Sequence, residues 1–285
     1  MPQDSLAKLS LHPTGDDKQC FAVLTSKHKV SRDTIHLDFE YPSGVCKTLP
    51  VGKHLKVLAP NPCKPGELWN GEEDEDEGEP QFERKYTPCT VTERGFVLIV
   101  KVYSPNKHFP QGGKMSQYLD SVRVGDHVEF SLPYGVIEYL GKGEFQRIKN
   151  MVKAEHIGMI AAGSGITPML RLLEASLGGD GEGESVKYSL LFANRELDDI
   201  ICKQRLDELA AKYPTRFTVT YILSQPNPEW QGLRGRAHKQ LLAELMPSSA
   251  NEPLILCCGP PAMVKTCCKE SLNQLGYDAK RVWDF

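Results

Sequence analysis

No stretch of this 285-residue sequence is long and apolar enough to span a membrane, so a transmembrane helix is not expected. The opening MPQDSLAKLS lacks the apolar core of a secretion signal, and Pro2 stands where myristoylation requires glycine. None of the nine cysteines are spaced C-x-x-C. The adjacent pairs Cys257-Cys258 and Cys267-Cys268 are too cramped for an ordinary disulfide or a zinc site. Free thiols in a reducing compartment, the cytoplasm, are therefore expected, and no metal centre. Positive charge is not in excess either: 34 Lys and Arg face 37 Asp and Glu, a net charge of −3, which argues against nucleic acid as a partner.

The acidic charge is concentrated in one place. Seven carboxylates, Glu72, Glu73, Asp74, Glu75, Asp76, Glu77 and Glu79, stand just before Arg84-Lys85-Tyr86-Thr87. Without them 34 basic residues face 30 acidic ones, so the body of the protein is mildly basic, at +4. Residues 71–80 are charged and lack apolar periodicity, and they read as a solvated loop that aids solubility. A sharper expectation is that this acidic loop competes with an acidic partner for a basic rim.

The first half reads as short strands rich in β-branched and aromatic residues: CFAVLTSKHKV, DTIHLDFEY, HLKVLAP, GFVLIVKVYS and DHVEFSL. They suit an antiparallel β-barrel, with a short helix over 115–121. From about Glu155 the rhythm changes. HIGMIAAG, VKYSLLFAN, RFTVTYIL and EPLILCCG are continuous apolar strands, and helical stretches are expected after the first of these and over 203–212, 237–245 and 261–275. That alternation predicts a doubly wound α/β domain with a parallel sheet over 151–285, following a barrel domain over 1–150.

Four segments carry the chemistry. In AAGSGITPM, Gly163 and Gly165 follow a strand and open a helix, where free N–H groups attract an electron-rich ligand. CCGPPAM, with Cys258, Gly259, Pro260 and Met263, ends a second strand in the same way. RKYTPCT offers the Arg84 guanidinium for a diphosphate, the Tyr86 ring as a flat face and the Thr87 hydroxyl. FPQGGKMSQYL sets Gly112-Gly113 ahead of a helix starting near Lys114-Met115-Ser116, which also suits an oxyanion. Singly, each is equally well a structural turn.

In this order, Arg84-x-Tyr86-Thr87, VKVYS (100–104), GGKMSQYL (112–119), GSGITPML (163–170), LLFANRE (190–196) and CGPPAM (258–263) resemble the NADH–cytochrome b5 reductase branch of the ferredoxin–NADP reductase superfamily. The resemblance runs from about residue 20 to the end of the chain. It implies an FAD-binding barrel and an NAD(P)-binding domain, with hydride passing from nicotinamide to flavin and single electrons leaving to cytochrome b5 or a similar acidic haem protein. By position it implies that Arg84, Tyr86, Thr87, Val100, Lys101, Tyr103, Gly112, Gly113, Lys114, Met115, Ser116 and Thr167 bind FAD. Gly163, Gly165, Arg195, Ser224, Arg236, Cys258, Gly259, Pro260 and Met263 would serve NADH or NADPH. Thr167, Cys258 and Lys101 are the residues expected nearest the hydride transfer, and Lys114 is expected on the rim that meets the partner.

Two departures from the family pattern stand out. Lys85 replaces a usual proline. After RFTVTYIL comes Leu223-Ser224-Gln225, with no carboxylate to accept from a ribose 2′-hydroxyl, while Arg195, Arg234 and Arg236 lie near. Relaxed discrimination against NADPH is expected, with NADH still favoured. A stand-alone monomeric reductase is the leading reading. The alternatives are the flavin fragment of a nitrate-reductase-type enzyme and, from another class, a non-catalytic nucleotide-binding scaffold.

Overall fold

The protein is described by a computed structural model, here for residues 19–42, 49–107, 109–131, 133–178 and 185–285. The alternating apolar residues of the first half form β1 (Gln19–Ser31), β2 (Thr34–Glu40), β3 (Leu55–Pro60), β4 (Gln81–Tyr86), β5 (Thr90–Val91), β6 (Gly95–Lys101) and β7 (His127–Ser131). They join as one antiparallel sheet in the order β4-β3-β7-β1-β2-β6-β5. Its inner face buries Leu24, Leu37, Phe39, Val57, Leu98 and Phe130, each contributing roughly 1.5–3 kcal/mol by leaving water. The helix expected at 115–121 forms as α1 (Lys114–Ser121), which drops Met115 and Leu119 into this core.

A three-stranded meander follows, β8 (Ile137–Gly141), β9 (Glu144–Arg147) and β10 (Asn150–Lys153). The second half contains β11 (His156–Ala162), α2 (Ile166–Leu177), β12 (Lys187–Asn194), α3 (Lys203–Lys212), β13 (Phe217–Leu223), β14 (Leu233–Arg234), α4 (Lys239–Leu245), β15 (Leu254–Cys258), α5 (Ser271–Gln274) and β16 (Val282–Asp284). A π-helical stretch, Met263–Glu270, leads into α5. All six strands are parallel, in the order β14-β13-β12-β11-β15-β16. Strand order reverses at β11, whose neighbours are β12 and β15, so a crevice opens beyond the carboxyl ends of β11 and β15.

The seam between the halves is both apolar and ionic. Cys89, Ile99, Ile137 and Phe145 from the first half share one buried cluster with Ile157, Ile166, Leu170 and Trp283 from the second. The buried Arg171 of α2 donates to the Leu49 carbonyl. Lys101, ending β6, meets Asp199 at 2.5 Å, and Asp33 lies 3.2 Å from the same ammonium. Burial pushes the Asp199 carboxyl up, but the Lys101 ammonium and the Glu196 N–H outweigh it and hold it below the ordinary carboxylate value. Its contribution to stability is therefore complete above about pH 4 and is lost as pH falls through the lower folded value. Asp199→Asn should cost about 2 kcal/mol at pH 7, and the difference from wild type should shrink in acid. Urea midpoints of the two proteins measured from pH 7 to pH 3 check both statements.

Candidate active site: a cleft between the two sheets

The carboxyl ends of β11 and β15 press against each other. A Cβ placed on Gly165 would lie 2.2 Å from the Cys258 carbonyl oxygen, and one on Gly259 would meet the Met263 methyl at 2.7 Å. Glycine is needed at position 165, where the neighbour is backbone, for the two turns to close together; at 259 the Met263 side chain can yield. At Gly163, by contrast, φ is +52° and nothing lies within 4 Å of where a Cβ would stand, so this turn faces open space. These turns form one wall of a cleft of about 510 Å³.

The opposite wall comes from the barrel. Period-two alternation on β4 buries Phe82 and turns Arg84 and Tyr86 the same way. Both line the cleft with Lys85, Thr87, Val100, Lys101 and Tyr103. The Gly112 turn, at φ +64°, leads into α1, where the Gly113 N–H donates to the Tyr103 carbonyl at 2.7 Å. The Ser116 hydroxyl accepts from the Tyr103 N–H at 3.0 Å. A side chain at Gly113 would fall 2.7 Å from that hydroxyl oxygen. The first N–H groups of α1 thus end at the cleft, where Gly113, Lys114, Met115 and Ser116 line it.

The sequence expectations meet this geometry unevenly. Thr167 and Pro168 of α2, with Cys258, Gly259 and Pro260, complete the cleft. The Thr167 hydroxyl donates to the Ser164 carbonyl at 3.2 Å, leaving its lone pairs unengaged by that bond. Burial, with Asp284 nearby, pushes the Cys258 thiol up to about 11, so it is a neutral polarizable wall. Met263 stands behind Gly259. Lys101 reaches the cleft, but its ammonium is taken by Asp199 and Asp33.

Arg195, Ser224 and Arg236 lie outside the cleft lining, at the carboxyl ends of β12, β13 and β14. They are joined there by Ser224 N–H to Asn194 and Gln225 N–H to Arg195 backbone bonds. Arg195 donates to Gln225 at 2.6 Å. Arg234 is tied to the carbonyls of Asn227, Pro228 and Trp230, which makes it a brace of its own loop.

Two expectations are corrected. Residues 71–80 are not simply solvated: Asp74 is buried, 2.5 Å from the Lys114 ammonium, and both Asp76 oxygens receive the Arg84 guanidinium at 3.0 and 2.9 Å. Lys114 is itself 8% exposed, packed over Phe82 with its ammonium 4.9 Å from the ring, so it is not part of an accessible rim. The exposed Lys85, with Lys53 and Lys56, crowds positive charge around His54, with Lys56 paired to Glu83 at 2.5 Å and Lys53 standing 3.6 Å from Glu138. Burial first, then these lysines, lowers His54 to about 4.

His54 and the terminal Phe285 also line the cleft, though no sequence motif marked them. Away from it, the directly paired His28 and His36 meet Asp38 with ligand atoms within 4.8 Å of one another, a cluster that sequence spacing did not reveal.

The FAD-binding group fits this cleft. Its two cations demonstrably hold oxyanions, here carboxylates, and the Gly163 turn opposite is open. Residues 76–139 match the family described as oxidoreductase FAD-binding domain, and 159–269 that of the oxidoreductase NAD-binding domain. NADH-cytochrome b5 reductase 1 of Rattus norvegicus is 38% identical over 275 residues, which cover 93% of this chain and 84% of the relative. Nitrate reductase [NADH] 1 of Oryza sativa subsp. japonica is 36% identical over 263 residues, 90% of this chain but 27% of the relative. The crystal structure of the cytochrome b5 reductase domain of Ulva prolifera nitrate reductase superposes with a TM-score of 0.82 at 29% identity, covering 94% of this chain and 97% of that one. With a two-domain cleft of this construction and reductase relatives matched over more than four-fifths of their length, the chain belongs to the NADH–cytochrome b5 reductase family.

Proposed function

We propose that this chain takes hydride from NADH and passes electrons singly to cytochrome b5, with FAD held in the cleft. The observation that carries the reading is the cleft's two unlike walls, cations and a helix start on the barrel side and glycine turns on the parallel-sheet side. FAD, when bound, supplies the exchange between a two-electron donor and a one-electron acceptor. The chain's own residues have to hold two ring systems in contact and keep water out.

In this reading Arg84, Lys114 and the N–H groups of Lys114, Met115 and Ser116 hold the FAD diphosphate, and Tyr86, Thr87, Val100 and Tyr103 flank the rest of the cofactor. Burial, followed by the nearby Tyr103, raises the Tyr86 hydroxyl, which keeps it a neutral hydrogen-bond donor. Thr167, on the parallel-sheet wall of the cleft, would meet the flavin. Gly163, Gly165, Cys258, Gly259 and Pro260 admit the nicotinamide by presenting backbone and small side chains. Lys101 becomes a positioning residue, because its bond to Asp199 fixes the two walls relative to each other. The halves divide near residue 154, after β10. Every residue lining the cleft comes from this one chain, which supports a monomer, and the buried thiols Cys89, Cys257, Cys267 and Cys268, none of them in a disulfide, support a cytoplasmic setting. Among the described residues no helix is long and apolar enough to cross a membrane.

The exposed Lys85 on the cleft wall favours an acidic partner, since complementary charge steers encounter; Lys53 and Lys56 add less, because each faces a glutamate. Purified protein should be yellow, reduce ferricyanide with NADH, and reduce cytochrome b5 at a rate that falls steeply with added salt. Slow b5 reduction insensitive to salt would remove the partner, and colourless, inactive protein would favour the scaffold.

Nucleotide choice should be lenient. Ser224 and Gln225 stand at the end of β13, where the family pattern has a carboxylate, and Arg195 and Arg236 follow the neighbouring strands β12 and β14, so we expect kcat/KM to favour NADH over NADPH by less than about a hundredfold. Arg236→Ser should raise KM for NADPH several-fold and leave that for NADH unchanged. A native preference of many hundredfold for NADH would sink the inference.

A further inference from the structure

The acidic segment is seated on the same two cations that the flavin reading assigns to a diphosphate. Arg84 gives Nη1 and Nη2 to the two oxygens of Asp76, and Nη1 also donates to the Glu83 carbonyl at 2.9 Å. Its fork, the part of a guanidinium best matched to a phosphate, is therefore occupied. Asp76 also stands 3.6 Å from the Lys114 ammonium, and Asp74 holds that ammonium at 2.5 Å with side chains 2% and 7% exposed.

The segment is a built structure, with its own internal bonds. The Asn61 amide donates to Asp74 at 3.1 Å and to the Asp76 carbonyl at 2.8 Å, and the Asp76 N–H donates to Asp74 at 3.1 Å. It is also fastened to the turn ahead of α1, where Gln111 donates to the Glu73 carbonyl at 2.7 Å. The bonds thus reach both sides of the diphosphate seat, β4 and the start of α1.

We propose that residues 71–80 are an internal counter-anion latch, in which Asp74 and Asp76 compete with the FAD diphosphate for Arg84 and Lys114. This rests on the flavin reading and adds regulation to that site. Charge makes the competition close. Two cations face Asp74 and Asp76, with Glu75 3.7 Å from Arg84, so the closed seat carries no net positive charge to attract a dianion. FAD must release Asp76 to gain the Arg84 fork. A site closed about nine-tenths of the time binds roughly tenfold more weakly than its open form. Loss of FAD is correspondingly eased, because the latch recloses on the vacated cations and spares the buried Lys114 an unpaired charge.

The test is FAD titration of the full chain after flavin removal, followed by quenching of flavin fluorescence. Asp76→Asn keeps the shape of the loop and removes the carboxylate charge facing Arg84; its Kd for FAD should fall by about five- to tenfold. Glu79→Gln removes the same charge from an exposed position that touches neither cation, and its Kd should stay within about twofold of wild type. An unchanged or weaker Kd in Asp76→Asn would overturn the latch, as the carboxylates would then orient the cations for the cofactor. Equal tightening in Glu79→Gln would also overturn it, by showing bulk repulsion to be the cause.

A second readout does not depend on flavin or on a variant of the seat. Trp69 is joined to the latch by paired backbone bonds with Glu72 and lies with its ring 5.7 Å from the Lys114 ammonium, so inorganic pyrophosphate added to the apoprotein should shift its emission saturably. Trp69→Phe should abolish the change, and no change in wild type would count against the latch. If wild type and both carboxylate variants bind no FAD while pyrophosphate still shifts Trp69, it is the flavin reading that fails, and the anion seat with its latch stands.

Discussion

Everything at the cleft depends on how closely the turn after β11 can approach the end of β15. The Gly165 position lies so near the Cys258 carbonyl that a single added carbon would overlap it. That contact sets the spacing of the two strand ends at the point where sheet order reverses, and so fixes the width of the crevice. Because α2 begins directly after this turn, the same contact places Thr167 and Pro168 on the cleft wall and Arg171, one turn later, against the barrel's Leu49 carbonyl. A local backbone constraint thereby orients one domain against the other. Lys101 and Asp199 then hold that orientation from the opposite edge.

Much of this was legible in the sequence because it is written in local chemistry. Glycines between an apolar strand and a helix announce a βα turn, and the strands and helices of the second half lie close to where periodicity put them. The cations of β4 and the Gly-Gly start of α1 were readable for the same reason. What escaped was set by tertiary contact. A run such as EEDEDEGE looks solvated to any rule based on composition, and only the folded chain shows that two of its carboxylates have cationic partners eight and forty residues away, the second of them buried. Phe285 entered the cleft because β16 adds beside β15 at the sheet edge, which a closing RVWDF does not announce. His54 lies in an ordinary-looking strand entry, and its lowered affinity for protons comes from burial and from lysines on β3 and β4 that converge in space.

The cations illustrate a general point about reading charge. Counting Arg84, Lys101 and Lys114 as three positive groups waiting for a polyanion overstates the field they produce, since each has a carboxylate within hydrogen-bond distance. The pairs differ in what they do. Lys101–Asp199 joins two domains, and both partners are fixed to regular elements or to a capped turn, so it behaves as a brace. Asp74 and Asp76 belong to the loop between β3 and β4 and satisfy the two cations that the flavin reading gives to the diphosphate.

A pair of the second kind is stable only while nothing better competes. Carboxylate and phosphate offer a guanidinium similar geometry, but a diphosphate carries more charge on more oxygens and also gains the N–H groups at the start of α1. In the flavin reading the cofactor gains these bonds at the cost of releasing a folded loop with its Asn61 and Gln111 bonds. Whether an acidic insertion beside an anion site weakens that site depends on this balance more than on its net charge. The seven carboxylates of residues 72–79 are accordingly unequal: most face solvent, whereas Asp74 and Asp76 set the terms on which the cations can be used.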